Sequence, residues 1–145
     1  MQERIRRVRV LFREIGYRTE PAERSDESYS ATFAGPEGVE GGVFIDRESR
    51  FLEIGYTFSF SPSLSRFMTE RLEEIMRAAY EFGCYPNLLA GKAEIVLSVF
   101  TKIYFSGLNY RSLRETLRDF NRCVEAITEI VNIEGRSDAS SGSAE

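Results

Sequence analysis

Glu53, Lys102 and Tyr104 are the residues of this sequence whose types could move a proton between them. Each falls on the less apolar face of a run that alternates like a strand, so a carboxylate, an ammonium and a phenol could meet across a sheet. Such a trio does acid–base chemistry only inside a deep, water-poor pocket that shifts its pKa values. Open to solvent, Glu53 and Lys102 form no more than a cross-strand ion pair, and that is the reading adopted. Glu70, Glu73, Glu74 and Glu81 lie opposite the apolar stripe of a helix and stay solvated. The chain contains no His, so no hydroxyl or thiol has an imidazole base, and no Gly-X-Ser-X-Gly elbow occurs. Gly35 to Gly38 and Gly41-Gly42 do not match a phosphate loop. Cys84 and Cys123 are too few for a Cys₄ zinc site. They read as small buried hydrophobes in a reducing compartment, their oxidation state left open. No catalytic residue, cofactor or metal is expected.

Apolar surface carries more information. Phe and Tyr number 11 and 7, and there is no Trp. Phe51, Val96, Phe100 and Tyr104 occupy the strand faces opposite the rows expected in the core. Half-apolar faces of this kind are covered by a helix, a second subunit or a segment of another protein. These four are the candidate partner or dimer contacts. A wide stripe from Leu64 to Phe82 on the middle helix is a second candidate dimer element.

Charge narrows the partners. The 145 residues carry a net charge of −4, yet residues 1–18 hold six Arg against two Glu. An acidic body repels a phosphate backbone, so only the first helix could attract nucleic acid or another anionic polymer. A second row, Arg111, Arg114, Arg118 and Arg122, is diluted by Glu115, Glu125 and Glu129 and reads as a solvated face. No apolar stretch reaches membrane-span length, and the first residues do not look like a secretory signal. A cytoplasmic location is expected, with no membrane partner.

The elements follow from periodicity. Ile5, Val8, Leu11, Phe12 and Ile15 recur at helical spacing, with Gly16 as the stop. Pro21 and the polar cluster from Glu20 to Ser28 read as a loop. Tyr29, Ala31 and Phe33 alternate; Val43-Phe44-Ile45 is a short run; Phe51 to Phe60 is the clearest strand. These three make an antiparallel meander. Ser61-Pro62 caps one helix that reaches Gly83. Two further strands lie within 84–106, turned at Gly91-Lys92. Leu113, Leu117, Phe120, Val124, Ile127 and Val131 form a seam of under three heptads, read as a core-facing helix rather than a coiled coil. Gly135 should end it. The expected organisation is a single α+β domain over 1–134 with an antiparallel sheet, in the order α-β-β-β-α-β-β-α, then a disordered tail over 135–145.

That order, with the run from Phe51 to Phe60 into Ser61-Pro62 and the run from Val99-Phe100 through Ser106-Gly107-Leu108 into Leu113, Leu117 and Phe120, resembles the YbjN-like family of bacterial sensory transduction regulators. It also resembles the fold of class I type III secretion chaperones. The likeness spans residues 3–133 and rests on hydrophobic pattern and element order. It implies a homodimer that binds other proteins and does no chemistry, and it supplies no active-site residues. The expected function is a non-catalytic homodimeric protein-binding module, chaperone-like or regulatory, that holds segments of partner proteins. The alternative is a small regulator that binds nucleic acid or another anionic polymer through the basic first helix.

Overall fold

The alternating runs build one six-stranded antiparallel sheet, and four α-helices complete an α+β fold. The computed structural model describes residues 1–139, without the side chains of Glu37 and 133–139. In chain order the elements are α1 (Gln2–Ile15), β1 (Arg18–Arg24), β2 (Ser28–Ala34), β3 (Glu40–Asp46), β4 (Phe51–Phe60), α2 (Ser65–Glu70), α3 (Leu72–Glu81), β5 (Tyr85–Ala90), β6 (Ile95–Tyr104) and α4 (Tyr110–Ala139). The strand order across the sheet is β1-β2-β3-β4-β6-β5. The chain divides into two units. The first is Met1–Tyr56 with Thr101–Arg118, and the second is Thr57–Phe100 with the chain from Asp119 onward. Among the described residues no helix is long and apolar enough to cross a membrane.

In the first unit α1 buries Ile5, Val8 and Phe12, three of the residues its spacing singles out. The Phe12 ring lies 5.3 Å from Phe33 of β2. Tyr29, Ala31 and Phe33 of β2, Val43 and Ile45 of β3, and Leu52 and Ile54 of β4 are buried in alternation. Register follows from these rows, because a slip of one residue would put each on the wrong face. Val43 faces Ile54 and Ile45 faces Leu52. Gly41, opposite Phe33, has no space for a side chain: a Cβ there would stand 2.7 Å from the Phe33 ring and 2.9 Å from the Gly55 carbonyl oxygen.

In the second unit Met68 of α2, Ile75 and Ala79 of α3, and Ile95, Leu97 and Val99 of β6 are buried. Here too lie Phe120, Cys123, Ile127 and Val131 of α4, all buried. The α4 seam therefore faces the core, as its length implies. Asn109 caps this helix: its Oδ1 accepts from the Ser112 N–H at 2.9 Å, and the Ser112 hydroxyl accepts from the Asn109 N–H at 2.9 Å.

Three expectations need correction. Residues 20–24, read as part of a loop, belong to β1, so the meander has four strands rather than three. An edge strand needs no apolar row; its backbone bonds to β2 suffice, and a register shift between Pro21 and Glu23 accommodates the proline. The middle helix is two helices, broken at Arg71 (φ −106°, ψ 4°). The Arg71 guanidinium donates to the Phe67 carbonyl at 3.1 Å and stacks 3.8 Å from the Phe67 ring centroid, so a side chain satisfies what the interrupted backbone leaves open. The element order is thus α-β-β-β-β-α-α-β-β-α. Finally, α4 runs past Gly135 to Ala139. The remainder of the expected tail lies outside the described residues.

Candidate functional site

On the first unit the candidate surface is the side of the sheet opposite the buried rows. Phe44 follows Val43 on β3 and therefore faces the other way, 42% exposed. Phe51 at the start of β4 and Tyr104 at the end of β6 also face away from the core rows of their strands. Their rings meet edge-on with centroids 5.6 Å apart, and Tyr104 is 48% exposed. Lys102 lays its ammonium 4.7 Å from the Phe51 centroid and 5.5 Å from that of Tyr104. A cation over two ring faces is favourable because the ring quadrupole is negative there.

A shallow, open depression of about 250 Å³ adjoins these rings. It is lined by Ser28, Phe44, Asp46, Phe51 and Glu53 among others, with no basic residue in its wall. Of the Glu53–Lys102–Tyr104 trio, Glu53 lines this depression and Lys102 and Tyr104 do not. Lys102 and Tyr104 are exposed. The arrangement can present rings and charge to a partner; it does not enclose a substrate. Among the described residues, no three side chains of metal-ligating type gather.

On the second unit Val96 and Phe100 face away from the buried row Ile95, Leu97 and Val99. Register places Tyr85 of β5 opposite Phe100 and Leu89 opposite Val96. The Tyr85 and Phe100 rings stand 5.6 Å apart, tilted by 30°. Leu89 and Tyr85 are exposed. The fold therefore gives each residue singled out from the sequence an apolar neighbour on its own unit. Phe51 meets Tyr104, and Phe100 and Val96 gain Tyr85 and Leu89. Sequence reading passed over Phe44, Tyr85 and Leu89. The signal for the last two was present, because Tyr85 and Leu89 share parity in a short strand. On α3, Met76 and Tyr80 sit four residues apart and are both exposed, Tyr80 by 86%.

The basic character of α1 is partly committed within the protein. Arg4 donates to the Ser49 carbonyl at 3.0 Å and stacks 4.3 Å from the Phe105 ring centroid. Arg7 donates to the Leu108 carbonyl, and Arg6 pairs with Glu3. The Arg4 and Arg7 bonds hold α1 to the turn before β4 and to the turn after β6, whereas the Arg6–Glu3 pair lies within α1. Arg111, Arg114, Arg118 and Arg122 are exposed, as a solvated face requires.

The fold has counterparts among solved structures. The crystal structure of an uncharacterized protein from Methanothermobacter thermautotrophicus superposes with a TM-score of 0.66 at 17% identity, covering 89% of this chain and 95% of that one. YbjN of Escherichia coli, described as a candidate transcription regulator, superposes with a TM-score of 0.60 at 13% identity, covering 92% of each chain. The fold of this chain is YbjN-like. No protein-family model and no curated protein matches it.

Proposed function

We propose that this chain is a non-catalytic protein-binding module, regulatory or chaperone-like, that works as a homodimer and holds segments of partner proteins. The observation that carries the reading is the pairing of aromatic rings on strand faces turned away from the core, Phe51 with Tyr104 and Phe100 with Tyr85. A fold has no need of such rings on a face that only water meets. Rigid aromatic side chains bury large area at small entropic cost when a partner arrives. The shallow, open depression beside Phe51 suits a surface contact better than a reaction chamber.

The anion-binding alternative draws on α1, but Arg4, Arg6 and Arg7 already have partners. It predicts an affinity for nucleic acid that collapses with salt and falls on replacing Arg6 and Arg13 by Ala.

Phe100→Glu tests the main reading. The charge would face solvent in a lone chain but be buried against a partner, so the fold should survive while association fails. Sedimentation of the purified protein should show a dimer for the parent and a monomer for the variant, with unchanged far-UV circular dichroism. A parent that sediments as a monomer, or a variant that associates as the parent does, overturns the assignment.

A further inference from the structure

Phe44 is an exposed ring set among carboxylates, and register puts it there. Glu23 of β1 pairs with Ser30 of β2, Ser30 with Phe44 of β3, and Phe44 with Glu53 of β4. These four form one row across the side of the sheet turned away from the core. Val43 and Ile45, the chain neighbours of Phe44, are buried on the other side. Asp46, two residues beyond Phe44 on β3, and Phe51 of β4 continue the same side. Both line the depression of about 250 Å³ together with the row, and all of it lies in the first unit. Gly42, on Phe44's side of β3, leaves room for the ring: a Cβ there would stand 3.0 Å from the Phe44 Cζ. The ring thus leans along its own strand toward Gly42.

Several rings of this protein are met by its own cations. The Arg71 guanidinium stands 3.8 Å from the Phe67 centroid, that of Arg4 4.3 Å from Phe105, and the Lys102 ammonium 4.7 Å from Phe51. Tyr104 shares Lys102, and Tyr110 has Arg114. Phe44 differs: among the described residues no cation stands over its ring. No basic side chain lines the depression, whereas Glu23, Asp46 and Glu53 do. The face of an aromatic ring is negative, and carboxylates beside it strengthen its pull on a positive group. This face is complementary to a cation that the chain does not supply there.

We propose that this face binds an extended, arginine-bearing segment of a partner protein, with guanidinium groups laid on Phe44 and paired with Glu53, Asp46 and Glu23. The inference rests on the protein-binding reading and gives the partner its chemistry. Arginine fits better than lysine, because a planar guanidinium can stack on a ring and hold a carboxylate in one pose. A single small cation does not match the spread of charge. Glu23 and Glu53 sit three strand spacings apart, about 14 Å between backbones. An extended chain covers about 13 Å in four residues, so two arginines four positions apart reach both. A second copy is the poorer occupant. Its basic helix α1 packs on the core side of the sheet, Phe12 against Phe33, so copies that offered α1 to this face would add head to tail.

The test is fluorescence anisotropy with the full-length chain and a labelled nine-residue peptide of serine and threonine with arginine at its third and seventh positions. A twin carries citrulline at both, which keeps the shape and removes the charge. The arginine peptide should bind saturably, and the twin about tenfold more weakly. Binding should fade in about 0.5 M sodium chloride. Glu23→Gln combined with Asp46→Asn should weaken the arginine peptide about tenfold and leave the twin unaffected. Phe44→Ala should weaken it too, with far-UV circular dichroism unchanged in both variants. Equal affinity for the two peptides, undiminished binding by the folded variants, or no saturation by about 1 mM peptide would overturn the proposal. So would displacement by spermidine as effective as by unlabelled peptide, which would assign the face to small cations. Any of these beside a parent that sediments as a dimer removes this inference and leaves the protein-binding reading in place. A monomeric parent that still prefers the arginine peptide does the reverse.

Discussion

Gly41 shows how narrowly a single position can be specified. Its missing side chain lets the Phe33 ring and the Gly55 carbonyl both approach closely. Gly41→Ala should cost about 1–3 kcal/mol of stability, the usual range for overpacking a well-filled core, read as a lower urea midpoint. Tyr29 presents the opposite case. It is 2% exposed, and among the described residues no group bonds its hydroxyl. A buried, unpaired polar group costs about 1–3 kcal/mol. Tyr29→Phe should therefore leave stability unchanged or raise it, and a midpoint lowered by the substitution would show that the hydroxyl has a use. Neither position could be read from the sequence. Gly41 sits in a Gly-rich stretch that resembles a turn, and the Tyr29 hydroxyl is hidden in a run that alternates well.

Elements with a buried row were legible, whereas β1, exposed along most of its length, was not. β2 and β4 declare themselves through Tyr29, Ala31, Phe33 and through Leu52, Ile54, because each row must point inward. β1 has no such row: apart from Thr19 its residues are exposed, and pairing with β2 is what makes it a strand. Its amides should exchange with solvent well before those of β4, which hydrogen exchange with mass spectrometry would resolve by segment. Equal protection of the two strands would contradict this. The break at Arg71 was invisible for a different reason. Arginine is a good helix former, and only its approach to Phe67 reveals why the helix stops. The same logic divides the candidate surface. Phe51, Val96, Phe100 and Tyr104 stand on long strands whose alternation assigns their face. Phe44 lies in an apolar triplet that favours neither face, and Tyr85 and Leu89 acquire neighbours only through register.

At the scale of the whole molecule, charge and fold give different kinds of information. The net charge of −4 comes from a basic first helix on an otherwise acidic chain, and Arg4 and Arg7 use part of that excess as fastenings. Lowering the pH from neutrality protonates carboxylates and brings the net charge through zero. The protein should scatter light most strongly on the acid side of pH 7 and clear again on further acidification. Turbidity that rises instead on the alkaline side would contradict this. The YbjN-like fold was legible from element order even though a strand and a helix break were not, because the hydrophobic rows that define the two long strands and α4 survive such errors.

Each outermost strand carries a proline, Pro21 on β1 and Pro86 on β5. Proline offers no N–H, so a foreign strand laid along either rim would find its ladder broken. The charged side chains of β1 discourage stacking further. Both features work against fibril growth by rim-to-rim zippering.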